Sequence, residues 1–242
     1  MANPEDKPTL KAVRAALHGL AEPERVKVLS GFFKTGPGQY GEGDVFIGVR
    51  MPALRTLTPM AARLADLDLA RLLAAKIHEE RMLGVVALVH RYQKGDPAQK
   101  EAAFRLYVDH RSGVNSWDLV DGSAPAIAGC HFSGKPAPLL DGWVAHGGLW
   151  ERRIAMVSTH WDIRRGEFGR ALDYAEKLMG DPHDLMHKAV GWMLREVGKK
   201  DVAALEGFLR AFGPQMARTT LRYAIERFPP KVREAYLKGA KM

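Results

Sequence analysis

The chain has 242 residues, of which 46% are hydrophobic and 26% charged, an ordinary globular composition of a length that permits one or two domains. Its 36 Lys and Arg residues outnumber its 28 Asp and Glu residues, and the resulting net charge of +8 favours an anionic partner. The single cysteine, Cys130, excludes an intramolecular disulfide and a cysteine-based zinc site, and no apolar run approaches the length of a membrane span, so we expect a soluble cytoplasmic protein with no membrane partner.

The first predicted elements are a helix and a glycine-rich loop. Apolar residues recur at helical spacing over Leu10–Leu20, and Gly19 marks the end of that helix. Residues 34–50 contain five glycines and one proline together with apolar side chains that can anchor them, which predicts a loop of fixed shape. The loop does not follow a strand and lacks the ending of a phosphate-binding P-loop. Proline is favoured in a first helical turn, so Met51 and Pro52 predict the start of the next helix.

The next stretches are also predicted to be helical. Residues Ala61–Ile77 are rich in Ala and Leu, which favour helix strongly. The same pattern returns over Leu83–Tyr92 and stops at the turn residues Gly95, Asp96 and Pro97. No segment shows the sustained alternation and β-branched enrichment of a strand, so the chain is predicted to be all-α.

Further along the chain, the predicted helices come in pairs at a nearly regular interval. The first helices of the pairs begin near Glu79, Ser116, Leu149, Asp184 and Pro214, and the second helices are predicted at Ala98–His110, Ala137–His146, Glu167–Met179, Asp201–Phe212 and Lys231–Lys238. The interval of roughly 30 to 37 residues is typical of helical-pair repeats. Its degenerate sequence fits HEAT-like pairs that stack into a curved solenoid, an α-α superhelix with one concave face. An irregular helical bundle is the alternative.

Two tryptophan-bearing segments hold the most informative residues. One is Ser116–Asp121, which reads Ser-Trp-Asp-Leu-Val-Asp, and the other is Lys188–Glu196. Trp117 and Asp121 are four residues apart and share one face of a helix, whereas Asp118 falls on another face. We expect Asp118 to be a first-turn helix acid, with Ser116 or Asn115 as the cap. An aromatic ring beside a carboxylate can stabilise a developing cation. Because the chain is basic, we expect this cation to form on a polyanionic ligand.

Four segments, in order, resemble those of the AlkD-type DNA alkylation repair glycosylases. They are Tyr40–Pro52, Ser116–Asp121, Leu149–Ala155 and Lys188–Glu196, and the resemblance covers most of the chain from Gly31 onward. It implies one HEAT-like domain over residues 1–242, a monomer without a cofactor whose concave face binds duplex DNA. It also implies base excision repair of positively charged N3- and N7-alkylated purines, by hydrolysis of the N-glycosidic bond and without flipping the lesion into a pocket.

The resemblance assigns a role to each candidate site residue. It implies that Asp121 is the essential carboxylate, which stabilises positive charge on the deoxyribose as the bond breaks. It implies that Trp117 and Trp192 contact the sugar and the lesion through their indole faces. The expected phosphate contacts are Arg153 and Arg195, with weaker candidates at Lys188, Arg218 and Arg222.

Other readings of the chain stay open at this stage. A HEAT-like solenoid that binds DNA without catalysis is the main alternative, and a protein-interaction scaffold is a third possibility. Any lesion-contacting aromatic residue from the N-terminal part is unassigned, with Phe32, Phe33 and Tyr40 as candidates. His183 and His187 are four residues apart, but the residue after His183 is Asp184 and not the glutamate of an H-E-x-x-H site, so we expect no metal.

Overall fold

Helices account for most of residues 7–239, which are the residues that the computed structural model describes. Across these residues no strand is present, and the only bridge is an isolated parallel pair between Val45 and Ile77. The helices are α1 (Leu10–His18), α2 (Val26–Phe32), α3 (Met51–Thr56), α4 (Thr58–Ala61), α5 (Asp66–Leu73), α6 (His78–Lys94), α7 (Pro97–Asp109), α8 (Trp117–Asp121), α9 (Cys130–Phe132), α10 (Pro138–His146), α11 (Leu149–Ser158), α12 (His160–Ile163), α13 (Gly169–Leu178), α14 (Asp184–Lys200), α15 (Val202–Phe212), α16 (Arg218–Ala224) and α17 (Pro230–Leu237).

The described residues form two compact units, one running to Ser123 and the other starting at Ala124. Each unit is organised around a helix of 17 residues. In the first unit α4, α5 and α7 pack against α6, whose Leu83 and Leu88 are fully buried. In the second unit α11, α13, α15 and α16 pack against α14, which buries Met186 and Met193. Burying such side chains contributes about 1.5–3 kcal/mol each, and this burial is the main source of stability of both units.

The succession of paired helices confirms the all-α, helical-repeat fold predicted from the sequence. Helices α6 and α7, α10 and α11, and α14 and α15 pack as consecutive neighbours. The turn between α6 and α7 shows how the sequence ends one helix and starts the next. Asp96 caps α7 by accepting a hydrogen bond from the Gln99 N–H at 2.9 Å, the Gln99 side chain accepts from the Asp96 N–H, and Pro97 occupies the first turn.

The loop over residues 34–50 has the fixed structure that its sequence predicts. The buried Glu79 carboxylate accepts hydrogen bonds from the backbone N–H groups of Ile47, Gly48 and Val49 at 2.8 to 3.2 Å. Gly48 has a φ of 91°, and a Cβ atom there would lie 2.1 Å from the Glu22 carbonyl oxygen. Only glycine fits such a position, because it has no side chain to clash and tolerates a positive φ.

The helix predicted over Ala61–Ile77 is wrong in its extent. Helix α4 ends at Ala61 and α5 covers only Asp66–Leu73. The break between them frees backbone carbonyl groups, and the Arg91 guanidinium on α6 donates hydrogen bonds to two of these, on Ala62 and Leu64. A distant arginine therefore stabilises an interruption that local helix propensity does not predict.

One predicted helix start and one predicted helix cap differ from the structure. The helix expected near Pro214 begins at Arg218, after a 3₁₀ turn over Gly213–Gln215. Ser116 precedes α8, as expected, but its side chain makes no capping hydrogen bond. None of the helices in the described part of the chain is both long and apolar enough to cross a membrane.

Candidate functional site

Helix α8 carries the first group of predicted site residues. It has only five residues, and Leu119 and Val120 anchor it because they are fully buried in the core. Trp117, Asp118 and Asp121 are all partly exposed. The negative charge of Asp121 acts on the nearby Tyr107, whose pKa is raised chiefly by burial and further by this carboxylate. Asp121 therefore lies at the boundary between the core and the surface, where a carboxylate can be fixed and still meet a ligand.

An aromatic cluster supports Trp117. Its indole stacks on Phe33 with ring centroids 5.4 Å apart and planes 12° apart, and Phe32 contacts it edge-on at 5.8 Å. Phe32 is 62% exposed, whereas Phe33 is 8% exposed and continues the stack onto Phe46 at 5.0 Å. Of the three N-terminal aromatic residues left unassigned by the sequence, Phe32 and Phe33 thus lie against Trp117. Tyr40 contacts the backbone of Phe32, with its hydroxyl donating to the carbonyl oxygen at 3.4 Å.

A buried histidine lies beside this cluster, and the sequence did not identify it. His78 is the first residue of α6, is 3% exposed and stacks on Phe46 with a centroid distance of 4.5 Å. Its Nδ1–H donates to Asp44 Oδ2 and its Nε2–H to Asp118 Oδ2, each at 2.8 Å. Burial by itself would lower the pKa of His78, but the hydrogen bonds and charges of Asp118 and Asp44 outweigh it and raise the pKa to about 9.

Asp44, the loop carboxylate that binds His78, is itself kept ionised by its neighbours. Burial would raise the pKa of Asp44, yet its hydrogen bonds to His78 and Arg81 bring the pKa below its ordinary value. Arg81 donates to Asp44 Oδ1 at 2.6 Å and to the carbonyl oxygens of Ala75 and Lys76. The sequence signal for this network was the run His78-Glu79-Glu80-Arg81, four ionisable residues in a row directly before the apolar stretch Met82–Val89 of the same helix.

The second unit holds the other predicted tryptophan, Trp192, on α14. The indole is partly exposed, its Nε1–H donates to Glu196 Oε1 at 3.1 Å, and its ring lies 5.7 Å from that of His160. Burial alone would raise the pKa of Glu196. Its hydrogen bond to Lys199 and the neighbouring positive charges outweigh burial and bring the pKa below its ordinary value, so this carboxylate stays ionised. The indole of Trp192 is therefore oriented by a charged hydrogen-bond acceptor.

The residue before Trp192 determines how closely two helices approach. A Cβ atom on Gly191 would lie 2.5 Å from Tyr223 Cβ and 2.6 Å from the Thr220 carbonyl oxygen, both on α16. Glycine therefore permits the close contact of α14 with α16.

Three of the five predicted DNA-binding cations are Lys188 and Arg195 on α14 and Arg222 on α16. Lys188 and Arg222 line one cavity of about 520 Å³, together with Glu226 and Arg233. Lys188 pairs with Asp184 at 2.7 Å, and Arg195 pairs with Glu226. Arg222 is exposed. Lys188 and Arg195 therefore each have an acidic partner at this surface of the second unit. A phosphate that binds there can replace the acid as the ionic partner of the cation.

The other two predicted cations are placed differently. Arg153 is 4% exposed, and its guanidinium donates to the Leu185 carbonyl oxygen at 2.6 Å. Such burial leaves little of the guanidinium available to an external ligand, and the phosphate contact expected for Arg153 stays an untested prediction. Arg218 is exposed but donates to the Leu237 carbonyl oxygen at 3.1 Å and lines a separate cavity with Arg210.

The two groups of site residues thus belong to different units. Trp117 and Asp121 lie in the first unit with the His78 network, and Trp192 lies in the second with Lys188, Arg195 and Arg222. Among the residues that the structure describes, no group of His, Cys, Asp and Glu side chains is arranged to hold a metal ion.

The comparisons with known proteins agree with this fold. The family model described as DNA alkylation repair enzyme matches residues 13–228. A solved structure, described as a predicted DNA alkylation repair enzyme from Enterococcus faecalis, superposes with a TM-score of 0.67 at 14% sequence identity, covering 87% of this chain and 97% of that one. At this identity the structural likeness shows the fold alone. No curated protein matches the chain in sequence. Because the family model spans most of its length, the chain belongs to the DNA alkylation repair enzyme family.

Proposed function

We propose that the protein is a DNA glycosylase that removes positively charged N3- and N7-alkylated purines from duplex DNA. The observation that carries this proposal is the pairing of a partly exposed indole with a partly exposed carboxylate on α8. Trp117 is held in place by its stack on Phe33, and Asp121 follows four residues later on the same short helix. Membership of the DNA alkylation repair enzyme family supplies the substrate class within which this pairing makes chemical sense.

The reaction requires little from the protein beyond stabilisation of a cation. An N7- or N3-alkylated purine already carries a positive charge, so it leaves with the electron pair of the C1′–N bond and becomes neutral. Positive charge then develops on the deoxyribose, and the Asp121 carboxylate stabilises it. Water adds at C1′ and loses its proton to Asp121 or to solvent. The face of Trp117 attracts the cationic sugar by about 0.5–2 kcal/mol.

Phosphate contacts are proposed for the cations of α14 and α16. Lys188, Arg195 and Arg222 are accessible on the second unit, and Arg218 is exposed nearby in the sequence. Lys188 forms an ion pair with Asp184, and Arg195 forms one with Glu226. Arginine and lysine in such positions bind phosphate oxygens without reading the base sequence, and the resulting affinity falls as salt concentration rises.

The experiment that tests the proposal uses a duplex with one N7-methylguanine. We expect the monomeric protein, without added cofactor, to release free 7-methylguanine and leave an abasic site, while an undamaged duplex stays intact. Asp121→Asn is the control for catalysis by this protein rather than by a contaminant. Binding of the duplex without release of base from any cationic lesion would contradict the proposal and favour a DNA-binding protein that does not catalyse repair.

A further inference from the structure

A charged clamp joins three parts of the first unit, and we define it by Asp44, His78 and Asp118. Asp44 lies in the glycine-rich loop, His78 opens α6 and Asp118 lies in the first turn of α8. The two hydrogen bonds from the imidazole span 34 and 40 residues of sequence. The side chains of Asp44, His78 and Asp118 are 9%, 3% and 18% exposed, so the clamp is largely shielded from water.

The geometry of the clamp requires a doubly protonated ring. Ionised carboxylates only accept hydrogen bonds, and both ring nitrogens of His78 lie 2.8 Å from a carboxylate oxygen. Both nitrogens therefore donate, which makes the ring an imidazolium. This agrees with a pKa for His78 of about 9, reached although burial opposes it.

The remaining charged groups around His78 are already engaged or lie across a cavity. Arg81 pairs with Asp44, and Glu79 accepts the backbone N–H groups of residues 47–49. Arg25 and Arg50 line a cavity of about 340 Å³ that also borders His78 and Asp118, and Arg50 is paired with Glu22. The imidazolium thus has carboxylates as its direct partners.

Helix α8 depends on contacts outside itself for its orientation. It has five residues, and Ser116 supplies no side-chain cap. The hydrogen bond from His78 holds Asp118, and Phe33 contacts both the His78 ring at 4.9 Å and the Trp117 ring at 5.4 Å. A change at His78 therefore reaches Trp117 by two routes.

We propose that His78 is a positioning residue that fixes the rotation of α8, so that Trp117 and Asp121 face the substrate together. This inference rests on the proposed glycosylase function. His78 does not contact substrate in this scheme but acts through Asp118 and Phe33. The glycine-rich loop gains a role as well, because its Asp44 supplies the second carboxylate that keeps the imidazole charged and oriented.

The first test compares two carboxylate deletions. Asp118→Ala removes the link to α8, whereas Glu80→Ala removes a buried carboxylate on the same α6 that pairs with Arg14 and His18 on α1. We expect Asp118→Ala to slow single-turnover release of N7-methylguanine by about tenfold or more, because small misplacements of catalytic groups reduce rates strongly. Its dissociation constant for DNA is expected to stay within about twofold of the wild-type value, and Glu80→Ala is expected to keep the wild-type rate.

Asp118→Asn retains an acceptor for His78 and is expected to restore most of the rate at pH 7. Equal rates for Asp118→Ala and Glu80→Ala at matched thermal stability would overturn the proposal.

The second test needs no catalysis and separates this proposal from the proposed function. In the free wild-type protein, an NMR titration is expected to show the Trp117 indole N–H resonance, assigned with Trp117→Phe, moving at the same midpoint as the His78 ring. In Asp118→Asn both midpoints are expected to move to lower pH, because one negative charge beside the ring is lost. If the chemical shift of the Trp117 resonance does not change as His78 titrates, the positioning role is overturned even when excision is efficient. Absence of base release with coupled resonances would instead contradict the glycosylase function alone.

Discussion

At the scale of single residues, burial distinguishes arginines that the sequence could not tell apart. Arg153 and Arg195 both lie in segments that resemble one repair family, and the sequence predicted phosphate contacts for both. The structure buries Arg153 against the Leu185 carbonyl group and leaves Arg195 partly accessible beside Glu226. The same limitation applies to His78, because its two partners are 34 and 40 residues away in sequence and no local pattern connects them.

Asp121→Asn is expected to keep the fold and the DNA affinity but to lose most base release. The amide has the size of the carboxylate but not its charge, so it cannot stabilise the cationic sugar. Loss of such a fixed charge costs roughly 10² to 10³ in rate. Single-turnover excision of N7-methylguanine, compared with wild type at matched stability, measures the effect. Asp118→Asn is the isosteric control and is expected to retain far more activity at pH 7; near-wild-type rates in Asp121→Asn would remove this residue from the mechanism.

Arg195→Ala is expected to weaken DNA binding, whereas Arg153→Ala is expected to lower the stability of the fold. Loss of Arg195 is expected to weaken binding to any duplex and to reduce the slope of log affinity against log salt by about one unit, because one phosphate contact is removed. Loss of Arg153 is expected to leave that slope unchanged and to lower the free energy of unfolding by about 1–3 kcal/mol, because a buried hydrogen-bonding partner is left unpaired. Binding titrations at several salt concentrations, with denaturant unfolding of both variants, separate the two. A reduced slope for Arg153→Ala would show that Arg153 contacts DNA.

At the scale of elements, local sequence predicted helices that are stabilised locally and missed features that depend on distant partners. Helix α7 was predictable because Asp96, Pro97 and Gln99 form its cap within four residues. The break after Ala61 was not, because Arg91 on another helix satisfies the exposed carbonyl groups. The loop over residues 34–50 was predictable only in part. Its glycines indicated an unusual backbone, but nothing in the local sequence indicated that the Glu79 carboxylate accepts its hydrogen bonds.

Gly191→Ala is expected to disturb the contact between α14 and α16, although alanine favours helix over glycine. The new Cβ atom would meet Tyr223 Cβ at 2.5 Å and the Thr220 carbonyl oxygen at 2.6 Å. The helices must separate, which moves Trp192 and Lys188 relative to Arg222. We expect a loss of about 1–3 kcal/mol of unfolding free energy, typical of overpacking, together with weaker DNA binding.

Gly207→Ala is the matched control for this substitution. Gly207 also lies within a helix, α15, and nothing lies within 4 Å of a Cβ atom placed there. This variant is expected to be neutral or to gain up to about 1 kcal/mol from helix propensity. Thermal and denaturant unfolding of both variants gives the comparison. Equal stability of Gly191→Ala and Gly207→Ala would show that α14 and α16 are not in such close contact.

At the scale of the whole molecule, the stability of the chain is expected to depend on pH through the His78 clamp. The pKa of His78 is raised from 6.5 to about 9, so the folded state retains a proton that the unfolded state releases. Its contribution is complete below pH 6.5 and is lost as pH rises through 9, with a size of at most about 3 kcal/mol. Unfolding free energies of wild type and His78→Gln are expected to differ most below pH 6.5 and to converge above pH 9. A difference that does not change with pH would show that His78 is not charged in the folded protein.

The basic charge of the whole chain and the limited chemistry of its site predict which damage it repairs. With a net charge of +8, the protein is expected to bind any duplex, so selectivity must come from the chemical step rather than from affinity. An ionised Asp121 cannot protonate a leaving base, and His78 is buried between two carboxylates that hold its protons. Neutral lesions such as uracil and 8-oxoguanine are poor leaving groups without protonation, whereas N7-methylguanine and N3-methyladenine leave as neutral bases. Activity is therefore expected on the two cationic lesions only and to be unchanged by EDTA, and a panel of four defined duplexes measured with and without chelator tests both expectations. Efficient release of uracil would contradict this expectation and would show that the protein has either a general acid other than Asp121 and His78 or a tight pocket for the base.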